Sequence, residues 1–393
     1  MNRISQPLHD PAFVQNPYGF YDRARTLGPL VWWEEYGMTC AVSHAAVNQI
    51  LRDRRFGREE PEELRRPLPA HVAPFYAVEA HSMLELEPPR HTRLRGLVLR
   101  AFTSRRIAAL APEIETLSHA LIDPLPQDFD LLPVFAQKLP VIVIARLLGV
   151  PEEMSDQLLH WSNAMVRMYL ADRHRATEDA AVAATVAFVD FLRSYVEERR
   201  RRPADDLITH LIAAEEGGEK LSTDELITTC ILLLNAGHEA TVHSLGIAVK
   251  TLLETGTGAE WLAPDRVEDT IEECLRHDPP LHLFQRIAYE DIEVMGHVFH
   301  RGDRVACLLG AANRDPGMWN EPHRFNPGRP RKTNLAFGSG LHFCVGAPLA
   351  RLELQIALPI LFARLPGLRL AAAPEYADTY HFHGLTALHL RRD

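Results

Sequence analysis

One cysteine constrains this chain more than any other residue. Cys344 sits in Phe337-Gly338-Ser339-Gly340-Leu341-His342-Phe343-Cys344-Val345-Gly346, just before a helical pattern that starts Ala347-Pro348 and runs on through Ala350-Arg351-Leu352-Glu353. A glycine-rich turn that feeds a helix N-terminus suits the presentation of a thiolate to a metal. The thiolate, not the thiol, is the ligand, and helix N-termini and cationic neighbours lower a cysteine's pKa. Backbone N–H groups at the helix start can stabilise the negative sulfur. Gly346 allows a bulky planar partner to approach the backbone closely. The competing reading is a buried structural cysteine, the commoner fate of a lone cysteine.

The rest of the chain narrows the setting. It has 393 residues, 46% of them hydrophobic, enough for a large core. Length alone suggests two or three domains. No linker supports a split: the Pro-rich stretches are short and interleaved with apolar residues, so residues 1–393 read as a single domain. A net charge of −10 argues against general nucleic-acid binding. Cys40, Cys230, Cys274, Cys307 and Cys344 are dispersed without CxxC spacing, which reads as reduced thiols in the cytosol. The N-terminal residues carry no continuous apolar run, so no signal peptide is expected. The longest apolar stretches fall short of the ~18 residues that span a bilayer. A cytoplasmic monomer without membrane attachment is the expectation.

Helical periodicity dominates, with spans expected at Arg105–Leu121, Leu131–Leu148, Met154–Leu170, Ala180–Arg201, Thr223–Thr255, Val267–Arg276 and Ala347–Leu365. Strand signals are fewer: Leu30–Tyr36 and Met38–Val42 around Gly37, then Ile287–Val298 and Arg304–Leu309. The fold class is mainly α with a smaller β part. The longest helix opens with the capping box Ser222-x-x-Glu225 and stops at Gly256. At 1.5 Å per residue it spans roughly 50 Å, the width of a globule.

That helix carries Ala236-Gly237-His238-Glu239-Ala240-Thr241. Gly237 inside a helix costs ~1 kcal/mol relative to alanine, so it needs a reason. Either a flat ligand or dioxygen approaches there, or a second helix packs closely. His238-Glu239 begins like the zinc-protease HExxH, but the next histidine is His243, five residues on, so the two imidazoles do not share a face. Further along, Glu273 and Arg276 lie at i, i+3 on one helical face, followed by Asp278-Pro279-Pro280 and then Phe325-Asn326-Pro327-Gly328-Arg329.

Taken in this order, the motifs resemble the cytochrome P450 superfamily of haem-thiolate monooxygenases, over nearly the whole chain from about Asn16. The resemblance implies the cytochrome P450 fold, with the long helix over haem b and Cys344 as the iron ligand. Ala236, Gly237, Phe337 and Gly346 then border the haem. His91, Arg95, Arg286 and His342 match the partners of its propionates. Glu273, Arg276 and Arg329 match a buried structural charge triad. Leu232, Leu233, Ala240, Phe284 and His383 match positions of the substrate pocket.

The resemblance also assigns catalytic roles to Glu239 and Thr241, with one departure. The family usually places a threonine directly after the acid, and this chain has Ala240 there. A water or a substrate hydroxyl is expected to replace the missing alcohol, with Glu239 still feeding a proton path. The implied reaction inserts one oxygen atom of dioxygen into a small organic substrate, by hydroxylation or dealkylation. Electrons come from NAD(P)H through a separate ferredoxin and ferredoxin reductase, docking near Arg329, Arg331 and Lys332 with Arg93, Arg100 and Arg105. A peroxide-driven peroxygenase and a non-catalytic haem-binding sensor are the alternatives.

Overall fold

The fold is described from a computed structural model, covering residues 1–169, 173–216 and 218–393. The long helix Thr223–Thr255 is its axis. The capping box forms as the sequence implies: the Ser222 hydroxyl accepts from the Glu225 N–H (3.2 Å), and the Glu225 carboxylate accepts from the Ser222 N–H (2.9 Å). Gly256 ends the helix with a left-handed φ of 61°. The helices that pack around it include Lys138–Leu148, Ser155–Val166, Arg175–Arg201, Val267–His277 and Ala347–Arg364. Their apolar faces form the main core, which includes Leu234, Leu245 and Val249 of the long helix.

A second, smaller core lies against a six-stranded sheet, ordered Asn2–Ile4, Leu30–Trp33, Met38–Ala41, Arg304–Leu308, Leu283–Ala288 and Phe56–Gly57. The hairpin around Gly37 pairs Leu30 with Ala41. Strand Arg304–Leu308 runs parallel to Met38–Ala41 and antiparallel to Leu283–Ala288, which sets Val305 opposite Arg286. The sheet thereby fixes the height at which Arg286 leaves the backbone.

Four expected spans break. Arg105–Leu121 divides into Ser104–Ala109 and Ala111–Ile122, where Pro112 opens the second helix; proline suits a first turn because it has no N–H to donate. Leu131–Leu148 opens as a π turn, Leu132–Ala136, before the α-helix from Lys138. Ile287–Val298 is not one strand; Leu283–Ala288, Ile292–Val294 and His297–Phe299 share that stretch. The Met154–Leu170 span becomes a helix at Ser155–Val166 and a 3-10 turn at Arg167–Tyr169, with Leu170 outside the described residues. Among the described residues, no helix is long and apolar enough to cross a membrane.

Candidate active site

The cysteine loop is shaped by glycines that accept no side chain. Gly338 and Gly340 have φ of 71° and 72°. A Cβ on Gly340 would stand 2.3 Å from the Leu51 carbonyl oxygen, and one on Gly338 would stand 3.0 Å from the Phe284 ring. The Cys344 N–H donates to the Phe337 carbonyl (3.1 Å), closing the turn. A Cβ on Gly346 would meet the Cys344 Sγ at 3.8 Å. Arg351, one turn into the following helix, lies 4.6 Å above the Phe337 ring.

Cys344 is the one exposed cysteine of the five, yet burial is the foremost influence on its ionisation and pushes the thiol up. Backbone donation from Gly346 and Ala347, then Arg95 and Arg351, pulls the other way without prevailing. The helix start and its cations act in the expected direction. Desolvation outweighs them, so a bound metal must displace the proton, as metals do with coordinating thiols.

Behind the loop, Glu273, Arg276 and Arg329 come together. Arg276 donates to both Glu273 oxygens (2.7 and 2.8 Å), and Arg329 Nε lies 3.3 Å from Oε2. The spare donors of Arg276 reach the carbonyls of Asn313 and Pro322, both at 2.9 Å. Glu273 also accepts from the Asn326 N–H (2.8 Å). With Glu273 4% and Arg276 1% exposed, this ion pair meets the condition under which burial is tolerated, namely that every remaining donor is satisfied.

A rim of cations and imidazoles borders Cys344. Arg95 donates to the Phe343 carbonyl (2.8 Å). The His91 and His342 rings lie 4.4 Å apart, and His342 Nε2 is 2.8 Å from the Glu87 carboxylate. Buried His91 Nδ1 has no hydrogen-bond partner among the described residues. Buried Arg286 donates to the carbonyl of its own neighbour Gln285 (2.7 Å). Burial, then Arg58, lowers its pKa to about 10; burial, then His342, lowers that of His91 to about 4. Glu87 opposes both shifts without overcoming them, while His91 Nδ1 stays unpartnered and the hydrogen bond of Arg286 goes to a backbone carbonyl, so the rim has donors left for further anions. Two propionates would supply them, so the residues present fit haem. Glu87 and Arg58, whose backbone N–H donates to Glu87 (2.8 Å), belong to this rim. Sequence reasoning missed both; the nearness of Glu87 to His91 was the only signal.

The long helix presents small residues in the same region. Ala236 is exposed although its neighbours Leu234 and Asn235 are buried; Leu232 and Ala240, four residues either side, are half-buried, and Leu233 is buried. Gly237 does not serve the approach of a flat ligand. A Cβ there would meet Ile144 Cδ1 at 3.2 Å, so its reason is close packing against Lys138–Leu148. Thr241 is buried and its hydroxyl donates back to the Gly237 carbonyl (3.1 Å). Glu239 Oε2 is buried without a partner among the described residues, and burial raises its pKa to about 7.

Two further expectations need correction. His383 is 5% exposed, stacked on Tyr376 at 3.8 Å with its Nε2 3.6 Å from Asp278, so it belongs to a buried polar cluster rather than a substrate wall. Phe284 packs on the Gly338 turn and thus supports the cysteine loop. The basic docking face is also largely spent on internal pairs. Arg331 binds Glu268 (2.7 Å) and Asp269 (2.6 Å), Arg93 binds Glu225, and Arg329 serves the triad.

Comparison with known proteins supports one family. The profile named Cytochrome P450 matches residues 267–365, the stretch from the Glu273 helix through the cysteine loop. Cytochrome P450 107B1 of Saccharopolyspora erythraea is 37% identical, over 93% of this chain and 92% of the relative. Nocardicin C N-oxygenase of Nocardia uniformis is 38% identical, over 94% and 93%. The crystal structure of P450BioI in complex with hexadec-9Z-enoic acid ligated acyl carrier protein superposes with a TM-score of 0.91 at 33% identity, covering 98% of this chain and 99% of that one. With the glycine-locked cysteine loop, the rim of cations and imidazoles and this similarity along almost its whole length, the chain belongs to the cytochrome P450 family of haem-dependent monooxygenases.

Proposed function

We propose that this chain inserts one oxygen atom of dioxygen into a small organic substrate, hydroxylating or dealkylating it, with electrons passed from NAD(P)H by a ferredoxin reductase and a ferredoxin. The observation that carries this reading is the Cys344 thiol on a loop whose turn glycines, Gly338 and Gly340, tolerate no side chain, beside a rim where buried His91 Nδ1 is unpartnered among the described residues. Haem bound through that sulfur supplies the dioxygen chemistry, because a thiolate ligand favours O–O cleavage.

The chain's own residues do the remaining work. His91, Arg95, Arg286 and His342 would hold the propionates of a bound haem. The Glu273–Arg276–Arg329 cluster keeps the segment before the loop in register. Glu239, held near neutrality by burial, keeps and releases a proton. The Thr241 hydroxyl is committed to the helix carbonyl, and Ala240 offers no hydroxyl, so a water or the substrate's own hydroxyl completes the proton path. Relatives do not settle the substrate: one is named for N-oxygenation of nocardicin C, and another is called a biotin biosynthesis cytochrome P450.

The test is reconstitution. A library is screened for the iron spin-state shift that follows loss of the distal water, and hits are supplied with a ferredoxin, its reductase, NAD(P)H and labelled dioxygen. Product carrying one labelled oxygen supports the reading. Turnover with hydrogen peroxide alone, and none with the electron donors, would replace it with a peroxygenase, a reading that Ala240 keeps in view.

A further inference from the structure

A second cluster of donor atoms, none of them in the cysteine loop or its rim, forms where three distant segments meet. Asp278 follows the helix Val267–His277, His282 precedes the strand Leu283–Ala288, and His383 comes from a loop near the C-terminus. All three are buried. One carboxylate oxygen of Asp278 and one ring nitrogen of each histidine lie within 4.8 Å of one another.

These donors gather without bonding one another. His282 Nε2 is 3.8 Å and His383 Nε2 is 3.6 Å from Asp278 Oδ1. A charge-assisted hydrogen bond would close to about 2.7–2.9 Å. Two donors held by one tetrahedral zinc at about 2.0–2.1 Å stand roughly 3.4 Å apart. The observed separations exceed the first value and approach the second. The widest edge of the triangle, at most 4.8 Å, must shorten as a metal draws the donors in.

Each donor also has an outer partner that aims it. The Tyr18 hydroxyl donates to Asp278 Oδ1 (2.7 Å), and the Tyr376 hydroxyl donates to Oδ2. His383 is stacked on the Tyr376 ring at 3.8 Å. The Tyr21 hydroxyl lies 2.7 Å from His282 Nδ1 and 2.9 Å from the Tyr380 hydroxyl. With the Nδ1 proton given to Tyr21, His282 Nε2 keeps a free lone pair. That atom has no hydrogen-bond partner among the described residues, although His282 is 0% exposed. An unpaired buried nitrogen is costly. An imidazole whose other nitrogen is hydrogen-bonded is the usual form of a metal ligand. The nearby cations are engaged elsewhere: Arg314 donates to the His277 carbonyl (2.6 Å), and Lys250 to Glu254 (2.8 Å).

We propose that Asp278, His282 and His383 bind one zinc ion, which ties the end of the Glu273 helix to the C-terminal loop. Two imidazoles and a carboxylate suit zinc better than magnesium or calcium, which prefer oxygen. Water or a tyrosine oxygen completes four-coordination. The role is structural: the metal braces the start of the strand that carries Arg286, while Tyr18 and Tyr21 hold the ligands from the helix Tyr18–Leu27.

The full-length, haem-loaded enzyme, made without a polyhistidine tag, tests this with zinc chloride, by calorimetry and by anomalous diffraction on either side of the zinc edge. One zinc per chain should appear between the three side chains. His282→Ala and His383→Ala should each weaken that binding at least about tenfold, and Tyr21→Phe, which leaves all three donors in place, about tenfold. Zinc should raise the melting temperature of wild type and leave that of His282→Ala unmoved. Haem content shows whether each variant is folded; where one is not, the wild-type map decides. No anomalous peak at the cluster, zinc found only at surface histidines, or binding unchanged in both histidine variants overturns the inference.

Discussion

The two sides of the cleft are built on opposite principles. On the cysteine side the loop glycines and the charge triad are committed. Gly338 and Gly340 are locked by φ and by contact, and Glu273, Arg276 and Arg329 satisfy one another. On the side of the long helix, groups are left open. Ala236 and Ala240 are small, Glu239 Oε2 is unpartnered among the described residues, and Thr241 is turned back into its own helix. The difference separates two jobs. Holding a metal ligand needs geometry that does not vary. Receiving a substrate and a proton needs space and an acid that can change state.

The contrast predicts unequal responses to mutation. The largest should come from the committed side. Glu273→Ala leaves Arg276 buried and uncompensated, at a cost of about 3–5 kcal/mol, and chemical denaturation together with haem content of the purified protein should show both losses. A variant of native stability would mean that the cluster is not a fixed support. Gly340→Ala comes next. It places a side chain in the left-handed region, about 1–2 kcal/mol for an L residue, and drives a Cβ against the Leu51 carbonyl; weaker haem retention is the readout, and full retention would show that the loop is not locked.

Glu239→Gln should act through pH. The folded pKa of Glu239, about 7, lies above its ordinary value of 4.5. Below that ordinary value both folded and unfolded chains hold the proton, and the group is neutral to stability. Between about 4.5 and 7 the unfolded chain releases its proton while the folded chain keeps it, so wild-type stability falls as pH rises, and the deficit then stays constant. Relative to wild type, Glu239→Gln should gain stability across that window, measured by parallel denaturation curves. A flat difference would show that Glu239 is solvated. The smallest effect is expected from Thr241→Ala. Losing one helix-directed hydroxyl bond costs about 0.5–1.5 kcal/mol, and product formed per NAD(P)H should barely change. Marked uncoupling to peroxide would make Thr241 the missing alcohol and move a catalytic group back onto the helix.

The same contrast explains what could be read from the chain. The committed side is local and chemically explicit. A cysteine between glycines, an acid and an arginine three residues apart, and a capping box at Ser222 each state a geometry in a few adjacent residues. The open side depends on which way a helix is rolled and what lies across from it. Gly237 reads equally as a gap for a ligand or as a close contact, and only the position of Ile144 decides for contact. His383 is one of several aromatic and histidine residues near the C-terminus, and its burial against Tyr376 and Asp278 depends on partners distant in sequence. Glu87 and Arg58 carry no motif at all. They become notable only when folding removes water around them and brings their charges together.

The central claim is that Cys344 is the iron ligand of a haem held by the surrounding rim. The reduced carbon monoxide adduct tests it most directly, in wild type and in Cys344→Ser. Wild type should show the red-shifted Soret band of a thiolate-ligated haem, and Cys344→Ser should lose that band while the propionate partners still retain some haem. A red-shifted band that persists in Cys344→Ser, or a wild-type protein that never shows one, would contradict it.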